Sequence, residues 1–130
     1  MLSFRKTLGS LTGPFLALGL LLLVAGCGGG ETQALPLDEE LARSSVQKAL
    51  EAWQAGKKPA DLRPEITMGD PAWDAGRPLK SFAVLREEET SDGSNLHIRV
   101  QRRFGDAGNS SESKVIYIVG TSPVITIFPR

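Results

Sequence analysis

Hydrophobic and polar residues follow two different periods along this chain, and the first period is helical. From Ala42 to Trp53, apolar residues recur every three or four positions, and polar residues fill the positions between them. Asp38 precedes this stretch as a helix cap, and Gly56 followed by Pro59 is a typical helix end. The pattern predicts one amphipathic helix, with Trp53 on the face that packs against a core.

The second period is two residues long and begins after Pro78. Apolar and polar side chains alternate over 81–85 and 96–104, and two apolar segments follow at 114–119 and 124–128. These four segments predict the strands of an antiparallel meander.

Polar and proline-rich stretches separate the predicted elements. Residues 87–95 and 105–113 are typical of loops between antiparallel neighbours. The proline-rich segment 57–77 leaves room for short elements only, a helical turn at 59–62 and a strand at 65–68. No internal repeat is evident.

The predicted fold class is therefore α+β, with one N-terminal amphipathic helix packed on an antiparallel sheet of about four strands. This element order resembles the cystatin-like and NTF2-like superfamily, in which a helix lies across a curved antiparallel sheet. Members of that superfamily include inhibitors, ligand-binding domains and enzymes, so the resemblance implies a fold and does not select a function.

The N-terminus has the three-part layout of an export signal. Arg5 and Lys6 form a positive region, an apolar run covers 15–25, and Val24-Ala25-Gly26-Cys27 follows. These four residues resemble the lipobox of bacterial lipoproteins at every position. The resemblance implies cleavage before Cys27, a diacylglyceryl group on its thiol and acylation of its new amino group, typically by palmitate.

This interpretation divides the chain into three parts. Residues 1–26 are a lipoprotein signal peptide, residues 27–36 are the lipidated cysteine and a flexible linker, and residues 37–130 are one small α+β domain. An ordinary signal peptide with a chance cysteine and an uncleaved anchor are the alternatives. Gly28, in place of an aspartate, favours the outer membrane if the cell has two membranes.

Charge and cysteine content limit the classes of partner. The chain has 15 Lys and Arg and 15 Asp and Glu, and no carboxylate lies in the signal segment. The remaining part is slightly acidic and lacks the basic excess of a nucleic-acid-binding protein. Cys27 is the only cysteine, so an intramolecular disulfide is excluded.

The sequence contains no recognisable catalytic, metal or cofactor motif, and we expect a non-enzymatic protein without a cofactor. His97 is the only histidine and has no metal-ligand partner at a suitable spacing. Acidic residues at 87–89 with Asp92 lack the ligand spacing of a calcium loop and are expected to form a solvated hairpin tip.

Four residues are candidates for an interaction surface. His97, Arg99 and Arg103 lie on the polar face of one predicted strand, where they form either a charged surface or a docking site for an acidic partner or anionic lipid. Arg102 interrupts the opposite, apolar face and suggests a sheet edge. Trp73 lies in a loop, either as a core plug or as an exposed contact residue.

Two functional hypotheses follow. The first is a membrane-anchored envelope lipoprotein whose domain binds another envelope protein, with its oligomeric state open. The second is an NTF2-like small-ligand domain or minor enzyme, with a pocket between the Trp53 face of the helix and the sheet.

Overall fold

A computed structural model describes the backbone of residues 35–106 and 109–130, and the side chains of 35–105 and 111–130. The predicted signal peptide, Cys27 and the linker up to residue 34 lie outside the described residues. Among the described residues, no helix is both long and apolar enough to cross a membrane.

Helix α1 spans Glu39–Gln54. It begins where the sequence predicts, because a carboxylate oxygen of Asp38 accepts a hydrogen bond from the backbone N–H of Leu41 at 2.9 Å. It ends at Gly56, whose φ of +86° is accessible to glycine without steric cost. Its buried face comprises Ala42, Ser45, Val46, Ala49, Leu50 and Trp53.

The helix covers one face of a six-stranded mixed sheet. In chain order, the strands are β1 (Ile66–Met68), β2 (Leu79–Val84), β3 (Thr90–Ser91), β4 (Leu96–Asp106), β5 (Asn109–Gly120) and β6 (Ile125–Pro129). The main order across the sheet is β1-β6-β5-β4-β2, and β3 pairs with β4. The α+β class is therefore confirmed.

The sheet differs from the predicted one in a way that the local pattern did not reveal. The antiparallel meander of β2, β4, β5 and β6 is present, but β1 adds to its edge in parallel with β6. Ile66 pairs with Ile125 across 59 residues of chain. A short apolar segment identifies a strand but not its partner, so the parallel pair was missed.

The predicted loop at 105–113 is wrong for most of its length. Strands β4 and β5 stay paired up to Asp106 and Asn109, so the two strands form one long hairpin. Serine, asparagine and glycine favour loops, but here the backbone pairing is supported by cross-strand contacts. One of them joins Arg103 to Glu112 at 2.9 Å.

Alternation along β4 separates the two faces of the sheet. Leu96, Ile98, Val100 and Phe104 are buried on the face toward α1. His97, Arg99 and Gln101 point to the outer face, where they are only partly exposed. The core thus lies between α1 and this inner face.

Candidate functional site

Two short segments with nearly the same sequence build the most distinctive feature of the domain. Ala52–Lys57 and Ala72–Arg77 both have the pattern Ala-Trp-x-Ala-Gly followed by a cation. The first closes α1, and the second closes a one-turn helix, α2 (Pro71–Asp74). The expectation of no internal repeat was therefore wrong. The match is only six residues long and joins a long helix to a proline-rich segment, so it gives no periodic signal.

Both segments end in the same turn. Lys57 N–H donates to the Ala52 carbonyl at 2.9 Å, and Arg77 N–H donates to the Ala72 carbonyl at 3.1 Å. Both glycines have positive φ. This is the Schellman arrangement, which satisfies helix-end carbonyls and turns the chain sharply. Each turn therefore delivers a cationic residue directly after a buried tryptophan.

The two tryptophans then bind each other's turn. The Trp53 indole N–H donates to the Arg77 carbonyl at 2.7 Å, and the Trp73 indole N–H donates to the Lys57 carbonyl at 2.8 Å. Their rings stack with centroids 5.2 Å apart and planes within 3°. Burial of both rings with both N–H groups satisfied makes this contact strongly stabilising. It holds the two turns side by side.

A third ring extends the cluster toward the sheet. Phe104 packs against Trp53 with centroids 5.7 Å apart. The Arg77 guanidinium lies 3.9 Å from the centre of the Phe104 ring and donates to the Ser111 hydroxyl at 2.8 Å. The geometry is that of a cation–π contact. The Arg77 side chain is thus held by the Phe104 ring and by the Ser111 hydroxyl.

A buried polar network fixes the start of α2. Asp70 is 1% exposed, and one carboxylate oxygen caps α2 by accepting from Ala72 N–H at 2.9 Å. The other oxygen accepts from Arg102 at 2.8 Å and from the Tyr117 hydroxyl at 2.5 Å. Burial raises the pKa of the Tyr117 hydroxyl well above its ordinary value, so that it keeps the proton it donates to Asp70 even in alkaline solution.

This network corrects the interpretation of Arg102. Its strand, β4, lies between β5 and β2 and is not the sheet edge. The Arg102 side chain is 11% exposed and is needed on the apolar face because it compensates the Asp70 charge. Asp70 and Tyr117 are buried in the core, where the network fixes the start of α2.

A groove opens beside the two tryptophan turns, and we call it the Trp-turn groove. It has a volume of about 900 Å³. Its lining residues come from the end of α1, both turns, β1 and β6, and they include Lys57, Lys58, Pro59, Ala60, Arg63, Met68, Gly69, Trp73, Asp74, Arg77, Pro78 and Phe128. The Phe128 ring packs directly over Gly69. A Cβ atom at position 69 would come within 2.9 Å of this ring, so the close packing requires glycine. The groove is thus at the end of α1, and Trp53 is among its lining residues together with Leu79 of β2.

The groove is electropositive although the domain as a whole is slightly acidic. Four cations and one carboxylate, Asp74, line it. Lys57, Lys58 and Arg63 make no ion pair with the described residues. A neighbouring hollow has three cations and three carboxylates and is balanced. The Trp-turn groove therefore has the net positive charge needed to hold an anionic group.

The predicted docking cations lie together on the outer face of β4, but each has an acidic partner. His97 contacts Asp92 at 2.9 Å, Arg99 contacts Glu88 at 3.1 Å, and Arg103 contacts Glu112. Pairing reduces the charge that this face can offer to an anionic partner. Whether the face docks a partner stays a prediction.

Trp73 lies in the core, and the acidic segment at 87–92 lies against α1 and β4. Trp73 is 5% exposed and fills the core edge, so the interpretation as a core plug is confirmed. Glu89 accepts from Arg43 at 2.7 Å, and Glu88 and Asp92 pair with residues of β4. The segment predicted as a solvated tip is thus partly pinned to α1 and β4, through a 3-10 helix (Arg86–Glu88) and β3.

Sequence reasoning missed the groove because its four cations come from three separate segments, Lys57-Lys58, Arg63 and Arg77. The available signal was the repeated six-residue pattern together with Lys58 and Arg63. Comparison of the chain with protein-family models, with curated proteins and with solved structures yields no match.

Proposed function

We propose that this chain is an exported lipoprotein of the cell envelope, anchored through Cys27, whose domain is a non-enzymatic binding module. The support for the anchor is the four-residue lipobox and the apolar run before it. Two or more acyl chains on one protein suffice for stable membrane attachment. If the cell has two membranes, Gly28 favours the outer one.

Intact-mass analysis of the membrane fraction tests the anchor. The wild-type protein is expected to begin at Cys27 and to carry the added mass of its acyl chains. The Cys27→Ser variant is expected to remain unprocessed and to lack that mass. A wild-type product with an uncut start, or with a free Cys27 thiol, would contradict the anchor.

The observation that carries the binding function is the electropositive Trp-turn groove. Its cations Lys57, Lys58 and Arg63 have no counter-ions among the described residues, and its walls combine apolar and aromatic groups. A concave surface of this kind, with few polar groups among apolar walls, is typical of a binding site. Asp70, Arg102 and Tyr117 are not among the residues that line the groove.

Photo-crosslinking in intact cells tests the binding function. A photoreactive residue at Ala60, which is exposed and lines the groove, is expected to give a reproducible adduct. The same residue at Ser81, exposed on β2, serves as the matched control. Loss of the Ala60 adduct in a Lys57→Glu, Lys58→Glu background would support the groove. Equal adducts, or none at either position, would count against it.

A small-ligand domain is the second candidate, and the cavity volume is the observation that favours it. About 900 Å³ is near the upper end of the range of small-molecule sites. Mass spectrometry of the protein purified under non-denaturing conditions discriminates a small-ligand domain from a protein-binding domain. A retained small ligand would add a defined mass, and Phe128→Ser would reduce the fraction of the protein that carries it.

A further inference from the structure

We propose that the Trp-turn groove binds an extended acidic peptide segment of a partner protein, in which carboxylates lie beside apolar side chains. This inference rests on the proposed binding function and names the chemistry of the occupant.

Charge complementarity is the first argument. The outer-face cations, including Arg99 and Arg103, are already paired with carboxylates. The groove differs because Lys57, Lys58 and Arg63 make no ion pair with the described residues. Asp74 is the one carboxylate that lines the groove, and Lys57 and Arg63 also border the neighbouring hollow. Bringing carboxylates into the groove relieves this concentration of like charge.

The apolar walls are the second argument. Pro78 and Phe128 line the same groove as the cations; Pro78 is exposed, and Phe128 is 45% exposed. A free inorganic anion would neutralise the cations and leave this apolar surface in water. A peptide with apolar side chains next to its carboxylates covers both kinds of surface.

The groove lies at the end of α1 that is away from the first described residue. Leu35, the first described residue, donates through its backbone N–H to the Ser122 hydroxyl at 2.9 Å, next to the start of α1. The groove lies at the other end of this 16-residue helix, about 24 Å away along its axis. The first described residue therefore lies far from the groove.

Fluorescence anisotropy on the full processed protein, purified in detergent, tests the assignment. The probe is a short fluorescein-labelled peptide in which glutamate alternates with leucine and phenylalanine. We expect saturable binding that weakens as salt is raised, because the groove cations are exposed. Peptides with glutamine for glutamate, or with serine for the apolar residues, are each expected to bind at least about tenfold more weakly.

Matched variants separate the groove from general surface charge. The double variant Lys57→Glu, Lys58→Glu is expected to weaken peptide binding about tenfold or more. The control is Arg86→Glu, Lys114→Glu, an equal charge change on exposed residues outside the groove. Its affinity for the peptide is expected to stay within about twofold of the wild type. Phe128→Ser is expected to weaken binding, and Val124→Ser, at a similarly exposed residue outside the groove, is not.

Equal weakening by the two charge-reversal pairs would overturn the proposal, and so would absence of peptide binding. Binding of phosphatidylglycerol vesicles through Lys57 and Lys58, without peptide binding, would assign the groove to lipid. In that case the acidic-peptide assignment fails while an Ala60 crosslink would still support the binding function. Peptide binding without any Ala60 adduct in cells would reject the proposed function instead.

Discussion

Replacing Asp70 by asparagine tests how the domain holds its tryptophan turns together. Asparagine is as good a helix cap as aspartate, so the hydrogen bond to Ala72 N–H can be kept. The variant removes the charge that compensates Arg102, whose side chain is 11% exposed. Leaving a buried charge without its partner costs about 3–5 kcal/mol, and we expect a loss of that size in the free energy of unfolding.

Two further variants separate the charge from the hydrogen bonds. Tyr117→Phe keeps the Asp70–Arg102 ion pair. It removes the hydrogen bond that the hydroxyl donates to Asp70 and the one that it accepts from Arg102 at 3.2 Å, so it is expected to cost at least about 1.5–3 kcal/mol. Arg102→Met keeps an apolar contact with Phe104 but leaves the Asp70 carboxylate without its cation. The double variant Asp70→Asn, Arg102→Met is expected to cost less than the sum of its single changes, by about 0.5–3 kcal/mol.

Urea unfolding followed by tryptophan fluorescence measures the wild type and all four variants, because Trp53 and Trp73 are buried beside the network. Strict additivity of the two single changes would refute the idea that Asp70 and Arg102 stabilise the fold as a pair. A cost below about 1 kcal/mol for Asp70→Asn would refute it as well.

Two other predictions concern the turns and the outer face. Gly56→Ala and Gly76→Ala should each lower the free energy of unfolding in urea by about 1 kcal/mol. Both glycines have positive φ and open space around the missing Cβ, so only backbone strain is added. A clear difference between the two costs would show that the turns are not equivalent. The hydrogen bond from His97, together with backbone N–H donors, lowers the pKa of Asp92 from 3.8 to about 2, so its stabilising contribution is present above pH 3.8 and is lost as the pH falls toward 2. NMR titration should find the pKa of Asp92 higher in His97→Gln, and an unchanged value would contradict the contact.

Local patterns predicted the elements of this domain well and their assembly less well. The amphipathic spacing, Asp38 and Gly56 located α1 correctly, because caps and periodicity act within a few residues. Alternation located β2 and β4, and the apolar, β-branched composition of the two later segments located β5 and β6. The hairpin extension through 105–113 was missed, since loop-forming residues there are held in strands by pairing along the whole hairpin.

The candidate site depends on contacts between distant residues, which explains why it was largely missed. Asp70 reaches Tyr117 across 47 positions of sequence, and Trp53 reaches Arg77 across 24. A charged residue on an apolar strand face, such as Arg102, is compatible with a sheet edge and equally with a buried ion pair, and the sequence alone does not distinguish the two. The repeated Ala-Trp-x-Ala-Gly segments were visible, but only the reciprocal indole contacts give the repeat a meaning.

The structural roles found here separate stability from binding. Asp70, Arg102 and Tyr117 hold the start of α2 in the core, whereas Lys57 and Lys58 lie exposed after the end of α1. Changes in the first group should reduce stability, and changes in the second should reduce binding with stability nearly unchanged. A domain built in this way can vary its groove without losing its fold.

The central claim, that the two tryptophan turns form the ligand-binding surface, is tested most directly by the indole N–H resonances of the protein. The chain has two tryptophans, and their N–H groups donate to the carbonyls of Lys57 and Arg77, which both line the groove. Titration with the acidic peptide is expected to shift both indole signals together and to leave the β4 amides of His97 and Arg99 in place. Unshifted indole signals at saturation, with shifts on β4 instead, would contradict the claim.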